Sequence, residues 1–193
     1  MLGLKLATDP RWVNLAEKSI EDILTDHAYC EQKATSTCIA LIQYYPDKTF
    51  MVDKLVPVVN EEWTHFRLVL DELKKRNLQL GKQRKDEYVN QLNKMMTKSG
   101  IQEDLFLDRM LQAALIEARS CERFRLLSLD ISDDSLKKFY HNLMVAEAMH
   151  YRMFLDIATH YIDKEKVKNR WQEWLDYETE VLNHLDLRGD RMH

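Results

Sequence analysis

Glycine and proline are scarce, at 4 and 3 of 193 residues. Both fall well below average usage, which excludes an all-β chain with its many tight turns. Cysteine is scarce too. Cys30, Cys38 and Cys121 are odd in number and form no C-x-x-C, which argues against a disulfide framework and against a zinc-ribbon or rubredoxin-like appendage. No apolar stretch reaches the ~18 residues needed to span a bilayer. Met1-Leu2-Gly3-Leu4-Lys5 does not open a signal peptide. An excess of positive charge is also missing: 28 Lys and Arg against 32 Asp and Glu leave a net charge of −4. The chain is therefore not a generally basic nucleic-acid binder, and any RNA contact must come from a local patch. The expectation is a cytoplasmic helical protein with no membrane partner.

What is present agrees with long helices. Hydrophobic residues make up 45% and charged residues 31%, which excludes general disorder. Thr8-Asp9-Pro10 starts a helix that runs to about Tyr45, where Pro46-Asp47 breaks it. A second long helix covers about Asp47–Arg76 and is expected to kink at Pro57 rather than end there. The pattern weakens from Asn77 to Ile101, with a short helix near Asp86–Lys98 stopped by Ser99-Gly100. Further helices cover about Gln102–Leu129, Asp134–Tyr161 and Lys164–Leu185. The tail Arg188–His193 reads as frayed. No linker divides the chain, so a single domain over 1–193 is expected.

The apolar seams carry the chemistry. In the first long helix Ile20, Leu24, His27, Glu31, Ala34, Cys38, Leu41 and Tyr45 follow 4-3-4-3 spacing, the buried seam of a bundle. Leu55, Val59, Glu62, Phe66, Val69 and Leu73 do so in the second, with His65 beside Glu62. The third seam holds Glu117 between Ala114 and Cys121. The fourth holds Glu147 and His150 between Leu143 and Phe154. Each seam thus has a glutamate near its middle, and two add a histidine three residues on. A buried carboxylate without a partner costs several kcal/mol, so four on facing seams need cations between them.

Spacing says where they meet. Glu31 and Glu62 each lie about 15 residues from the turn at Pro46-Asp47, or roughly 22 Å up their helices. Glu117 and Glu147 are disposed alike about the turn near Ser132. The two hairpins are near-copies in role: Glu on the first arm, Glu-x-x-His on the second. Chance gives about half a Glu-x-x-His pair in a chain of this composition. Two pairs, both on core seams and each preceded by a seam glutamate, are far more specific. A Glu from two helices and Glu-x-x-His from two others is the ligand inventory of ferritin-like di-iron proteins. Carboxylate and imidazole donors suit iron, with manganese also open. The long stretch between the second and third long helices suits one crossover of a four-helix bundle. The expected fold class is therefore all-α: a ferritin-like four-helix bundle with one long crossover and additional helices.

Within that superfamily the chain resembles the tRNA hydroxylase family (MiaE-type), which hydroxylates 2-methylthio-isopentenyl-adenosine in tRNA. The resemblance rests on Asp26-His27-Ala28-Tyr29-Cys30-Glu31, Glu61-Glu62-Trp63-Thr64-His65-Phe66, Glu117-Ala118-Arg119-Ser120-Cys121-Glu122-Arg123-Phe124 and Glu147-Ala148-Met149-His150, and covers nearly the whole chain. It implies that Glu31, Glu62, His65, Glu117, Glu147 and His150 are the catalytic metal ligands. It also implies two iron ions, O2 as co-substrate and insertion of one oxygen atom into an allylic C–H bond. An external reductase is implied too, because nothing in the sequence resembles a flavin or nicotinamide site.

Other residues have plainer expectations. His27 is read as a hydrogen-bonded core residue, Glu122 as solvated or arginine-paired, and Glu61 as lying off the seam. The cysteines and Tyr29, Tyr140 and Tyr151 are read as packing residues, and Trp171 and Trp174 as seating the last helix. The basic run Lys74, Lys75, Arg76, Lys82, Arg84 and Lys85, with Arg119, Arg123 and Arg125, is an RNA contact or simply a solvated face. A di-iron oxygenase acting on a small molecule and a ferritin-like iron oxidation or storage protein remain as alternatives, and the oligomeric state stays open.

Overall fold

The computed structural model describes residues 2–98 and 102–193. Among them seven helices occur: α1 (Arg11–Glu17), α2 (Ile20–Tyr44), α3 (Thr49–Lys75), α4 (Glu87–Leu92), α5 (Gln102–Asp130), α6 (Asp134–Tyr161) and α7 (Lys164–His184). No described residue lies in a strand. None of these helices is long and apolar enough to cross a membrane. The expected stop at Ser99-Gly100 lies outside the described residues.

The chain divides into two compact units. One comprises Arg11–Lys85 and Arg188–Met192, the other the first ten residues, Asp86–Leu187 and His193. The first is built on the α2–α3 hairpin, with α1 against α2. The second is built on the α5–α6 hairpin, with α7 on α5 and α4 on α7.

Several helix ends have a local cause. Asp133 caps α6, its carboxylate accepting from Ser135 and Leu136 N–H, and Asp163 caps α7 by accepting from Glu165 and Lys166 N–H. At the end of α3, Asn77 takes a left-handed φ of 56°. There Leu78 N–H reaches Leu73 C=O and Asn77 N–H reaches Lys74 C=O. That is a Schellman ending, with asparagine where glycine is usual. The helix continues through Pro57, whose missing N–H interrupts the ladder without ending it.

Three expectations are corrected. The first predicted helix is two, because the chain turns at Ser19, whose N–H bonds Ala16 C=O. The short helix near Asp86–Lys98 stops at Leu92, where bonds to Gln91 and Leu92 C=O tighten into a turn. The tail is not frayed. Met192 is fully buried and its N–H donates to Asp26 at 2.8 Å. Gly189 lies so close to Leu15 that a Cβ there would sit 2.2 Å from backbone carbon. In the other unit His193 bonds Ser120 at 2.9 Å and stacks on Tyr88.

α7 is fastened by a buried carboxylate. Asp108, on α5, accepts from Arg170 Nε at 2.7 Å and Trp174 Nε1 at 3.0 Å. It also accepts from Thr97 N–H at 2.8 Å. Burial pushes this carboxyl up, but Arg170, Thr97 and Trp174 outweigh it and hold it below the usual aspartate range. Asp108→Asn should cost about 2 kcal/mol at pH 7 by urea unfolding, because it replaces the charged acceptor shared by Arg170, Trp174 and Thr97 with a neutral amide and leaves Arg170 with its exposed ion pair to Glu173. A depressed carboxyl stabilises above its unfolded pKa of about 3.9. The gap between the two proteins should therefore hold at neutral pH and close as pH falls below about 4.

Candidate metal centre

In the α2–α3 hairpin, Glu31 lies on α2 and Glu62 and His65 on α3, all buried. The i,i+3 spacing puts Glu62 and His65 on one face of α3, at the height predicted for Glu31. One ligand atom from each of the three lies within 4.8 Å of the others. His65 Nδ1 is 3.5 Å from Glu31 Oε2 and 3.7 Å from Glu62 Oε2. Burial disfavours a charged His65, but Glu31 and Glu62 outweigh it and raise its pKa to about 10. Burial likewise raises the Glu31 carboxyl, yet His27 and His65 hold it well below the usual glutamate range.

The α5–α6 hairpin repeats the pattern. Glu117 lies on α5, Glu147 and His150 on α6, again all buried, with one ligand atom from each within 4.8 Å of the others. The register of these helices follows from packing: Cys121 Sγ donates to Met144 C=O at 3.3 Å, and the Phe124 and Tyr140 rings lie 5.4 Å apart. All six predicted residues therefore lie on the buried seams, three to each hairpin. Their donor set fits iron or manganese: carboxylate oxygen and imidazole nitrogen, with no thiolate in either triad. The negative field that draws a proton onto His65 would equally draw a metal cation in its place.

The neighbours fall where their spacing puts them. His27 is fully buried, and its Nε2 lies 2.6 Å from Glu31 Oε1. Glu61 is half-buried. Cys38 and Cys121 are buried and all three cysteines are free thiols. Tyr29 donates to Gly81 C=O at 3.0 Å, Tyr140 is a buried packing ring, and Tyr151 lies 6.0 Å from Trp171.

The basic residues need correction. Arg119 and Arg123 are buried, so they do not form a phosphate-binding surface. Arg119 Nε donates to Glu178 at 2.8 Å and Nη1 to Glu122. Thr8 Oγ1 also donates to Glu122, at 2.7 Å, and Tyr88 hydroxyl to Glu178, at 2.9 Å. Glu122 is thus arginine-paired and buried. Glu178 was not among the expected site residues. Its signal was its place on the α7 seam between Trp174 and Val181, but no sequence pattern named its partner. In the run from Lys74 to Lys85, Lys75 and Arg76 pair with the buried Glu72, Lys74 with Asp71, and Arg84 with Asp22 and Asp190.

Comparison with known proteins follows this geometry. The Synechococcus structure described as "Protein 43 with aldehyde deformylating oxygenase activity" superposes with a TM-score of 0.92 and 30% identity. The match covers 98% of this chain and 94% of that one. The class is a ferritin-like, all-helical protein with buried carboxylate and histidine clusters. A Pseudomonas putida (KT2440) protein named tRNA 2-(methylsulfanyl)-N(6)-isopentenyladenosine(37) hydroxylase is 32% identical over 160 residues, 83% of this chain and 77% of that protein. A Salmonella typhimurium (LT2) protein of the same name is 26% identical over 240 residues, 98% of this chain and 87% of that protein. The pattern defining the tRNA-(MS2IO6A)-hydroxylase (MiaE) family matches residues 2–193, and the chain belongs to that family.

Proposed function

We propose that this chain hydroxylates the isopentenyl group of 2-methylthio-isopentenyl-adenosine in tRNA, using O2 at a dinuclear iron centre held by Glu31, Glu62, His65, Glu117, Glu147 and His150. In this reading residues 1–193 work as one ferritin-like domain in the cytoplasm. The observation that carries it is the doubled pattern: each hairpin buries one Glu and one Glu-x-x-His within ligand distance. Family membership over residues 2–193 supplies the substrate class.

The chemistry balances as C–H plus O2, two electrons and two protons giving C–OH and water. Bound ferrous ions would supply the O2-binding and redox capacity that no side chain here has. Both electrons come ultimately from a separate reductase, which returns the metal to its ferrous state. The chain's own part is to hold four carboxylates and two imidazoles in register. It also keeps the centre dry with buried side chains on the same helices, such as Leu24, Val69, Ala114, Leu143 and Phe154.

We assign the outer side of α6 to the tRNA. It exposes Lys138, His141, Val145, Met149 and Arg152 on one face, away from the side that carries Glu147 and His150. Glu147 is the one acid between Lys138 and Arg152, and it is buried. Cations with apolar side chains between them suit phosphates and unstacked bases.

The test is to load the protein with ferrous iron, count iron per chain, and supply reductant, O2 and tRNA carrying the isopentenylated adenosine. Mass spectrometry of the digested tRNA should find that nucleoside heavier by one oxygen, dependent on iron and O2. Bound iron with no such gain would leave an oxygenase acting on another substrate, as the name of the Synechococcus protein suggests. Glu147→Ala and His150→Ala should each lose at least one metal by elemental analysis while keeping wild-type helical circular dichroism. Unchanged metal content would remove both from the ligand set. Lys138→Glu and Arg152→Glu should each weaken tRNA binding and flatten its log–log salt dependence by about 1. Binding curves that superpose on wild type would place the RNA elsewhere.

A further inference from the structure

The two oxygens of Glu31 are used differently. Oε1 lies 2.6 Å from His27 Nε2. Oε2 faces the other way in the triad, 3.5 Å from His65 Nδ1. His27 stands one turn before Glu31 on the same face of α2, and its ring has no exposed surface. An ionised carboxylate only accepts hydrogen bonds, so Nε2–H is the donor. A buried, charge-assisted bond of this length restrains carboxylate rotation more than a bond to water does, because no solvent competes for either group.

We propose that His27 is the positioning residue of this centre: by engaging Oε1 it turns Glu31 so that Oε2 is presented to metal. His27 is not itself a ligand in this assignment. It decides which oxygen of Glu31 binds and how far that carboxylate can shift. The inference rests on the reading that Glu31 binds metal, and adds to it a residue that the ligand pattern does not contain. Histidine suits this place because its rigid ring offers a directed N–H four residues from the glutamate. An amide at the same position reaches the same oxygen less firmly, and an aliphatic side chain offers no donor.

The test uses the full chain with Co(II) as a probe, titrated by its visible absorption. Outer partners of metal ligands are worth roughly 10–100-fold in metal affinity. His27→Leu should weaken one of the two Co(II) sites by about that factor and change its absorption, with the other site unaltered. His27→Gln should restore most of the affinity. Two Co(II) bound by His27→Leu with wild-type affinity and spectrum would overturn the proposal, as would a Gln variant no better than Leu. A measurement on the wild type stands independent of whether the variants fold. With 15N-labelled histidine and diamagnetic Zn(II), the Nε2–H resonance of His27 should persist in the loaded protein and be protected from exchange. Its absence from the loaded protein would overturn the proposal. Failure of the underlying metal reading looks different: the wild type would then bind no Co(II) at all.

Discussion

The structure depends on carboxylates buried in apolar seams. A glutamate removed from water either finds cations and donors or gives up its charge. In the α2–α3 hairpin Glu31 and Glu62 are served by imidazoles, with His27 on one side of Glu31 and His65 between the two. The hairpin must keep a register that holds all four groups together. A one-residue slip on either helix would turn a carboxylate about 100° away from its partner.

α5 solves the problem twice. One side carries Glu117 toward the triad it forms with Glu147 and His150. The opposite side buries Arg119 and Glu122 in a second polar network with Glu178 and the hydroxyls of Thr8 and Tyr88, and Arg123 lies buried within the field of the same charges. Arginine suits that set because its planar fork donates to two carboxylates and a backbone carbonyl at once, reaching Leu6 C=O at 3.0 Å as well. Two opposite sides of one helix thus have opposite logic. One gathers acids with histidine, a donor set that suits metal, and the other neutralises acids with arginine, a structural pairing that would resist exchange with a metal ion.

The helices and the six seam residues were legible because they follow short periods. Spacing of 3 and 4 fixes a face of a helix, and equal distances from a turn fix a height. His27 and Glu62 were found by that arithmetic alone. What escaped it has no decisive local signature. The α1–α2 break has no Gly or Pro, and its one signal, Ser19 followed by Asp22 in an S-x-x-D helix start, is masked by the apolar period that continues on from Ile20. Glu72 has i+3 and i+4 basic neighbours, Lys75 and Arg76, that pair with it, but that local pattern does not tell that its carboxylate is buried. The tail after Arg188 has the composition of a frayed end, yet Met192 is buried and its amide is held by Asp26.

The sequence by itself determined the helix class, the hairpin turns and the faces on which Glu31, Glu62, His65, Glu117, Glu147 and His150 lie. Each of these depends on residues within a few turns of one another. Only the tertiary structure decided which long-range partner each buried charge would take. It gave Glu178 to Arg119, Asp108 to Arg170 and Asp26 to the backbone of Met192. Those pairings lie 59 to 166 residues apart. Periodicity reaches only as far as a helix, whereas the cost of burying a charge is met by whatever group the fold brings beside it.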